Sequence, residues 1–204
     1  MSRPDKHAFF AGLAAVWDAH QDATTLASGL AGGLAEFDIG SDEVVLDVGC
    51  GTGNLSAALL ARLGRDGRVV AFDFAPAMLE VARAKNPEDS RVCWLEADAE
   101  RLPLATGSFD RVICFSVWPH FDAPATAARE LTRVLRTGGH LHVWHLASRA
   151  RINAIHAAAS HAVQHDLLAP GSEVAAVLEA AGLSVVQVVD DHDRYLVSAV
   201  KRTG

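Results

Sequence analysis

The sequence predicts a doubly wound α/β fold, and three observations carry that prediction. Nearly continuous apolar runs recur along the chain: VVLDV (44–48), RVVAFDF (68–74), RVCWLEA (91–97), DRVICFSV (110–117) and GHLHVWHL (139–146). Runs that are apolar throughout, rather than at alternate positions, mark strands covered on both faces, as in a parallel sheet. Helical segments separate these runs, which is the order of strand–helix–strand units with right-handed crossovers. The first run leads directly into Gly49-Cys50-Gly51-Thr52-Gly53, a bare stretch of backbone at the strand end where open α/β sheets bind ligands.

The elements follow in order. Residues 1–43 are Ala-rich and helical, and Phe9, Phe10, Leu13, Val16 and Trp17 form an apolar stripe at helical spacing. Residues 1–40 are therefore expected to cap the sheet and close over its ligand as a lid, with residues 41–204 forming a single compact domain. Asn54 is placed to cap the helix LSAALLARL, which ends at Gly64. Pro76 suits the first position of PAMLEVARAK. A third helix spans 123–136 and stops at Gly138-Gly139, and RINAIHAAASHAVQHD reads as a fourth. A helix over 171–181 ends at Gly182. LSVVQVVD and YLVSAVKR, joined by a short His-Asp turn, form an antiparallel hairpin at the sheet edge.

Composition narrows the classes. Half of the 204 residues are apolar and about a fifth are charged, the balance of a soluble globular domain. No apolar run approaches the ~20 residues of a membrane span. The N-terminus reads as an amphipathic helix rather than a signal peptide, because Trp17, Asp18 and His20 follow its short apolar stretch. A net charge of −7 with no cluster of Lys and Arg argues against a nucleic-acid partner. Cys50, Cys93 and Cys114 show neither zinc spacing nor a disulfide framework, which fits a reducing cytoplasm. A small-molecule ligand and a monomer or homodimer are expected.

The glycine loop states what the ligand must be like. Glycines allow a sharp turn and let a ligand touch the backbone, and a helix N-terminus offers free N–H groups. A dinucleotide would use these too. However, the spacing is G-x-G-x-G, not G-x-G-x-x-G. Asp47 just before the loop would repel a pyrophosphate but attract an ammonium or sulfonium. Asp73, ending the second strand, can accept hydrogen bonds from two ribose hydroxyls.

At this point the chain resembles the class I S-adenosylmethionine-dependent methyltransferases, in particular their small-molecule type 11 branch. The resemblance spans roughly 40–146 and rests on VLDVGCGTG (45–53), DFAPAMLEVAR (73–83), EADAERLPLATGSFDRV (96–112) and ELTRVLRTGGHLHV (130–143). It implies a Rossmann-like sheet of seven strands in the order 3-2-1-4-5-7-6, with strand 7 antiparallel. It also implies S-adenosyl-L-methionine as cofactor and methyl transfer to a small acceptor. Carried onto this sequence, it puts Gly49, Gly51 and Gly53 along the methionine and ribose part, with Asp47 ligand-linked and Asp73 on the ribose hydroxyls. Phe74 and Met78 would pack on the adenine, Asp98 would accept from its amine, and the Ala99 N–H would donate to it. Phe115 and Ser116 would lie near the methyl group.

The histidines set this chain apart. Six of its ten lie between 140 and 165. His120, His145 and His156 are expected to converge over the transferred methyl. There His120 would act as the base, or the three would hold a divalent metal with an open position. Trp118, His120, His145, Arg149 and His156 are the candidate acceptor-binding residues. His140 and His142 are expected on a solvated face, and His161 and His165 on one exposed helix side. The alternatives are metal- or metalloid-linked methyl transfer through the histidines, a non-catalytic cofactor-binding module, and a nicotinamide dehydrogenase, which the loop spacing disfavours.

Overall fold

The computed structural model describes residues 3–20, 22–86, 89–159 and 161–202. Seven strands form one sheet: β1 (Val44–Val48), β2 (Arg68–Asp73), β3 (Val92–Glu96), β4 (Phe109–Phe115), β5 (Leu135–His145), β6 (Ser184–Asp190) and β7 (Tyr195–Val200). Their order is β3-β2-β1-β4-β5-β7-β6, as expected. β7 runs antiparallel to both neighbours, and the other pairs are parallel. The helices are α1 (Arg3–Leu13), α2 (Ala23–Glu36), α3 (Asn54–Arg62), α4 (Pro76–Lys85), α5 (Pro124–Val134), α6 (Arg149–Ala158) and α7 (Gly171–Ala180). None of them is long and apolar enough to cross a membrane.

The apolar runs are buried on both faces for the reason the sequence suggests. On one face Leu46, Val112, Leu141 and Val197 pack with Leu131 of α5 and Leu178 of α7. On the other, Val45, Val69, Ile113 and Trp144 pack with Leu34 of α2 and Leu59 of α3. Adjacent residues of one strand thus serve opposite cores.

Several expectations need correction. Asn54 does not cap α3. The cap is Gly53, at φ +82°, and Asn54 is the first helical residue, its amide turned to Asp18 and Thr52. The helix placed at 123–136 ends at Val134, and β5 begins at once with Leu135 opposite Phe109. The register then jumps to Arg111 opposite His140, so Gly138 and Gly139 lie in a bulge within the strand. The bulge is tied by Gly138 N–H donating to the Lys201 carbonyl (2.6 Å) and Lys201 N–H to that of Gly139 (3.0 Å). The fourth helix is shorter than its pattern, ending at Ala158, and His161 and His165 are exposed in a turn rather than along a helix side.

His142 is buried, not solvated. Its ring stacks on Phe37 (4.0 Å, 6°), one nitrogen meets Ser198 Oγ (2.9 Å) and the other meets Arg111 Nη1 (2.9 Å). The segment after α2 covers this side of the sheet, and a strand pattern cannot reveal such a cover. Arg111, also buried, is held by both oxygens of Glu43 at 2.8 Å.

The N-terminal stripe is only partly realised. Phe10 and Ala14 are buried against Ala75 and Met78, whereas Val16 is 46% exposed. The cause is a change of helix type. Ala14–His20 is a 3-10 helix, so the repeat shortens from 3.6 to about 3 residues and the stripe rotates away.

Candidate active site

β1 and β2 end at the same edge of the sheet and present the glycine loop and Asp73 together. All three loop glycines take left-handed backbone, at φ +63°, +53° and +82° for Gly49, Gly51 and Gly53. A Cβ on Gly49 would stand 2.3 Å from Val117 Cγ2, and one on Gly53 would stand 2.9 Å from the Trp94 ring. A Cβ on Gly51 would meet nothing within 4 Å. Two glycines therefore let protein approach protein, and the middle one faces open space. Gly51 N–H donates to one oxygen of Asp73 and Ala75 N–H to the other, both at 2.9 Å. We expect Gly49→Ala to displace the end of β4 through Val117. It should lower the melting temperature and weaken S-adenosylhomocysteine binding, measured by thermal denaturation and calorimetry.

Asp73 is nearly buried. Burial pushes its carboxyl pKa up, against the N–H groups of Ala75, Gly51 and Phe74. Asp47 is buried one strand away and accepts from Ser56 Oγ at 2.6 Å. Burial first, then the neighbouring charge of Asp73, push its carboxyl up to about 7.

A cavity of about 320 Å³ opens over this edge. Its walls include Gly49, Phe74, Asp98, Ala99, Val117 and His120, together with Lys6 and His7 from α1. The size falls in the usual range of about 300–1,000 Å³ for small-ligand pockets. Among the expected cofactor residues, Gly49, Phe74, Asp98 and Ala99 line it. Asp98 also accepts from Glu100 N–H at 2.9 Å, so it caps a turn while facing the cavity. Met78 is buried behind Phe74, among Phe10, Ala14 and Val163. Phe115 packs on Trp144 (4.8 Å). Ser116 stands at φ +55°, a left-handed position rare for a residue with a side chain, and its N–H donates to the Trp144 carbonyl.

These features fit a nucleoside with a charged amino-acid end. Open space faces the backbone at Gly51. A carboxylate has about four acceptor sites, and two of those on Asp73 are taken by Gly51 and Ala75. Phe74 offers an apolar ring on the wall, and Asp98 and Ala99 stand beside it.

The candidate acceptor residues divide. Trp118 is buried in the core against Phe121 (5.4 Å), away from the cavity wall. Arg149 is engaged with both oxygens of Asp190 (3.2 and 2.9 Å). His120 lines the cavity, with the His156 ring 4.9 Å away. His145 is buried at the end of β5 and neither of its ring nitrogens has a partner. Burial, then the neighbouring His120 and His156, push its pKa down to about 3. Among the described residues, only the exposed trio Asp191, His192 and Asp193 brings three ligand atoms within 4.8 Å of one another. The three histidines gather without forming such a set.

Sequence reading missed Asp166 and the N-terminal contacts. His120 Nδ1 lies 2.8 Å from Asp166 Oδ2, and Lys6 Nζ lies 3.0 Å from Asp166 Oδ1. Phe10 stands edge-on to both Phe74 (5.7 Å) and His120 (5.1 Å). Asp18 accepts from Thr52 (2.7 Å), Asn54 (2.9 Å) and Lys85 (2.8 Å), fastening the N-terminal segment to the glycine loop. The only local signal was Lys6 itself, a lysine beside the apolar stripe.

Comparison with known proteins agrees with this fold. Residues 46–143 match the family described as "Methyltransferase domain". A 2-phytyl-1,4-naphtoquinone methyltransferase of Thermosynechococcus vestitus is 41% identical over 95 residues, covering 46% of this chain and 42% of its own. The chain thus spans less than half the length of that curated relative. Among solved structures, a putative methyltransferase in complex with the Trm112 methyltransferase activator, from Haloferax volcanii, superposes with a TM-score of 0.80 at 19% identity. It covers 95% of this chain and 98% of its own. An S-adenosylmethionine-dependent methyltransferase from Aquifex aeolicus gives 0.71 at 23% identity, over 89% of this chain and 99% of its own.

Proposed function

We propose, on the match of residues 46–143 to a methyltransferase domain, that the chain belongs to the class I S-adenosylmethionine-dependent methyltransferase family and moves a methyl group from S-adenosylmethionine to a heteroatom of a small acceptor, with His120 as the base. The observation that carries this reading is the position of His120. It lines the same cavity as Gly49 of the glycine loop and as Phe74 and Ala99.

Bound S-adenosylmethionine supplies a methyl carbon already activated by a sulfonium, so the protein has to orient, exclude water and manage one proton. Asp73 would hold the ribose hydroxyls, Phe74 and Ala99 would hold the adenine, and Asp98 would accept from its amine. Gly49 and Gly51 leave the backbone open to the amino-acid end, with Asp47 behind them. α1 reaches the cavity with Lys6 and His7, and its closure over bound ligand would exclude water. When the acceptor heteroatom bonds to the methyl carbon, the carbon–sulfur bond breaks and S-adenosylhomocysteine leaves. The acceptor's proton passes to His120. Orientation can account for up to about 7–11 kcal/mol of the barrier, and a positioned base for a further ~10²–10⁴-fold.

Burial pushes the pKa of His120 below the ordinary imidazole value, against the hydrogen bond to Asp166. The imidazole is thus neutral, and ready to accept, at neutral pH. The deciding experiment incubates the protein with S-adenosylmethionine and a panel of small phenols, hydroxyquinones, thiols and N-heterocycles. Acceptor-dependent formation of S-adenosylhomocysteine supports the reading. Tight binding of S-adenosylhomocysteine with no turnover on any acceptor would favour a cofactor-binding module instead.

A further inference from the structure

We propose that Asp166 is the positioning residue of His120, fixing its proton on Nδ1 so that Nε2 keeps a bare lone pair, and that Lys6 makes this arrangement depend on the N-terminal helix being docked. The inference deepens the reading of His120 as base and rests on it.

Asp166 has two carboxylate oxygens and each has one cationic or hydrogen-donating neighbour. Oδ2 is 2.8 Å from His120 Nδ1, and Oδ1 is 3.0 Å from Lys6 Nζ. Although burial pushes its pKa up, the hydrogen bonds from His120 and Lys6 hold the Asp166 carboxyl below its usual value, so it is ionised. An ionised carboxylate only accepts hydrogen bonds, which leaves the proton of neutral His120 on Nδ1 and the lone pair on Nε2. This is the division of labour in which an acid fixes the tautomer of a base and stabilises the imidazolium that forms, without taking the proton itself.

The backbone of Asp166 is also held. Its carbonyl accepts from His156 Nδ1. The chain leaves α6 and passes through Val163, which is buried with Phe10 and Met78, so the carboxylate sits on a supported turn. Lys6 reaches the site from α1. Its side chain is 9% exposed and also donates to Asp122 Oδ1 (2.8 Å) and to the carbonyl of His120 (3.2 Å). A lysine is rarely so buried unless paired, and all its partners belong to the acceptor side of the cavity. Undocking α1 would remove the ammonium from Asp166 and open the site in the same movement. The titratable groups around His120 are therefore Lys6 and His7 on α1, Asp122, His145 on β5, His156 on α6, and Asp166.

Nuclear magnetic resonance of the full chain, ¹⁵N-labelled at histidine and saturated with S-adenosylhomocysteine, tests this directly. In the wild type His120 should be neutral with its proton on Nδ1 at pH 8. In Asp166→Asn its pKa should fall, because the carboxylate no longer favours the imidazolium, and the other tautomer should become populated. In Lys6→Met its pKa should rise, because the opposing ammonium is gone. Shifts of opposite sign follow from the two charges themselves, so the change of tautomer in Asp166→Asn is the readout that marks positioning. On the best acceptor of the panel, Asp166→Asn should lose at least tenfold in kcat with little change in S-adenosylhomocysteine affinity, and Asp166→Glu should recover part of it. A wild-type tautomer and pKa in both variants, or shifts of the same sign, would overturn the proposal. If Asp166→Asn does not fold, the wild-type tautomer decides alone: a proton on Nε2 rather than Nδ1 overturns the proposal. If the resonances move as stated while the rate does not, the positioning stands and the role of His120 as base falls.

Discussion

Replacing Asp73 by Ala should lower the affinity for S-adenosylhomocysteine at least tenfold while the protein stays folded. Asp73 sits at the carboxyl end of β2 with two acceptor positions committed to Gly51 and Ala75. On our proposal its remaining acceptor sites take the two ribose hydroxyls. Hydrogen bonds to a charged group contribute ~1.5–3 kcal/mol each, and about 1.4 kcal/mol is a factor of ten. Losing two would cost ~10²–10⁴ in affinity before water and rearrangement compensate. Part of the loss will come from the loop, because Gly51 also loses its anchor. Asp73→Asn separates the two effects, since its amide oxygen still accepts from one backbone N–H but carries no charge. Calorimetry that finds unchanged affinity in Asp73→Ala removes the ribose assignment.

Replacing His120 by Ala should lower the methyl-transfer rate by ~10²–10⁴ and leave cofactor affinity nearly unchanged. The pH dependence gives a second readout with a definite sign. A base works in its neutral form, which predominates above its pKa. Because burial holds His120 below the ordinary imidazole value, the rate should stay level through neutrality. It should fall only at a pH below ~6.5, the free-imidazole value. The Asp166 and Lys6 contacts also speak to the metal alternative. One nitrogen of His120 is committed to Asp166 and one of His156 to a carbonyl, and the three histidines do not bring their ligand atoms within 4.8 Å. A chelator should therefore leave turnover intact. Activity that disappears on chelation and returns with Zn²⁺ would move all three histidines into a metal site. An active His120→Ala enzyme with the wild-type pH profile would leave His120 as pocket lining.

The fold was legible because its signals are local. Apolar runs, Pro76 at a helix start and Gly182 at a helix end each report on a few neighbouring residues, whereas the sheet order is what the family resemblance implies. The cluster of Gly49, Gly51, Gly53 and Asp73 was legible for the same reason, since it lies at or just past the ends of the adjacent strands β1 and β2. What the sequence could not convey depends on residues meeting across the chain. Asp166 is 46 positions from His120, and Lys6 is 116 from Asp122. His142 looks like an outward polar residue of a strand until Phe37 and Arg111 are known to cover it. The bulge at Gly138 and Gly139 misled for a related reason. Two glycines after an amphipathic segment usually stop a helix, but here they relieve a register jump between β4 and β5.

The buried acids and imidazoles set how many protons the chain exchanges when it unfolds. Asp47 keeps its proton up to about pH 7 in the folded protein, whereas a free aspartate gives it up near ~3.9. His145 refuses a proton down to about pH 3, whereas a free imidazole takes one near ~6.5. Between roughly pH 4 and 6.5 these two cancel, since the unfolded chain loses one proton and gains one. The balance is tipped by other groups. Asp73 is raised, but His142, His120 and His140 are all lowered, by burial first. The unfolded chain therefore takes up protons overall in mild acid, and each uncancelled one costs about 1.36 kcal/mol of stability per pH unit as the pH falls. Between about pH 6.5 and 7 the sign reverses, because the unfolded imidazoles no longer take up protons while unfolding still releases the Asp47 proton; above about 7 Asp47 is ionised in both states and adds no slope. The protein is left with a stability optimum near neutral pH, bounded on the acid side by its histidines and on the alkaline side by the Cys50 and Cys114 thiols and the Tyr195 phenol, all raised by burial.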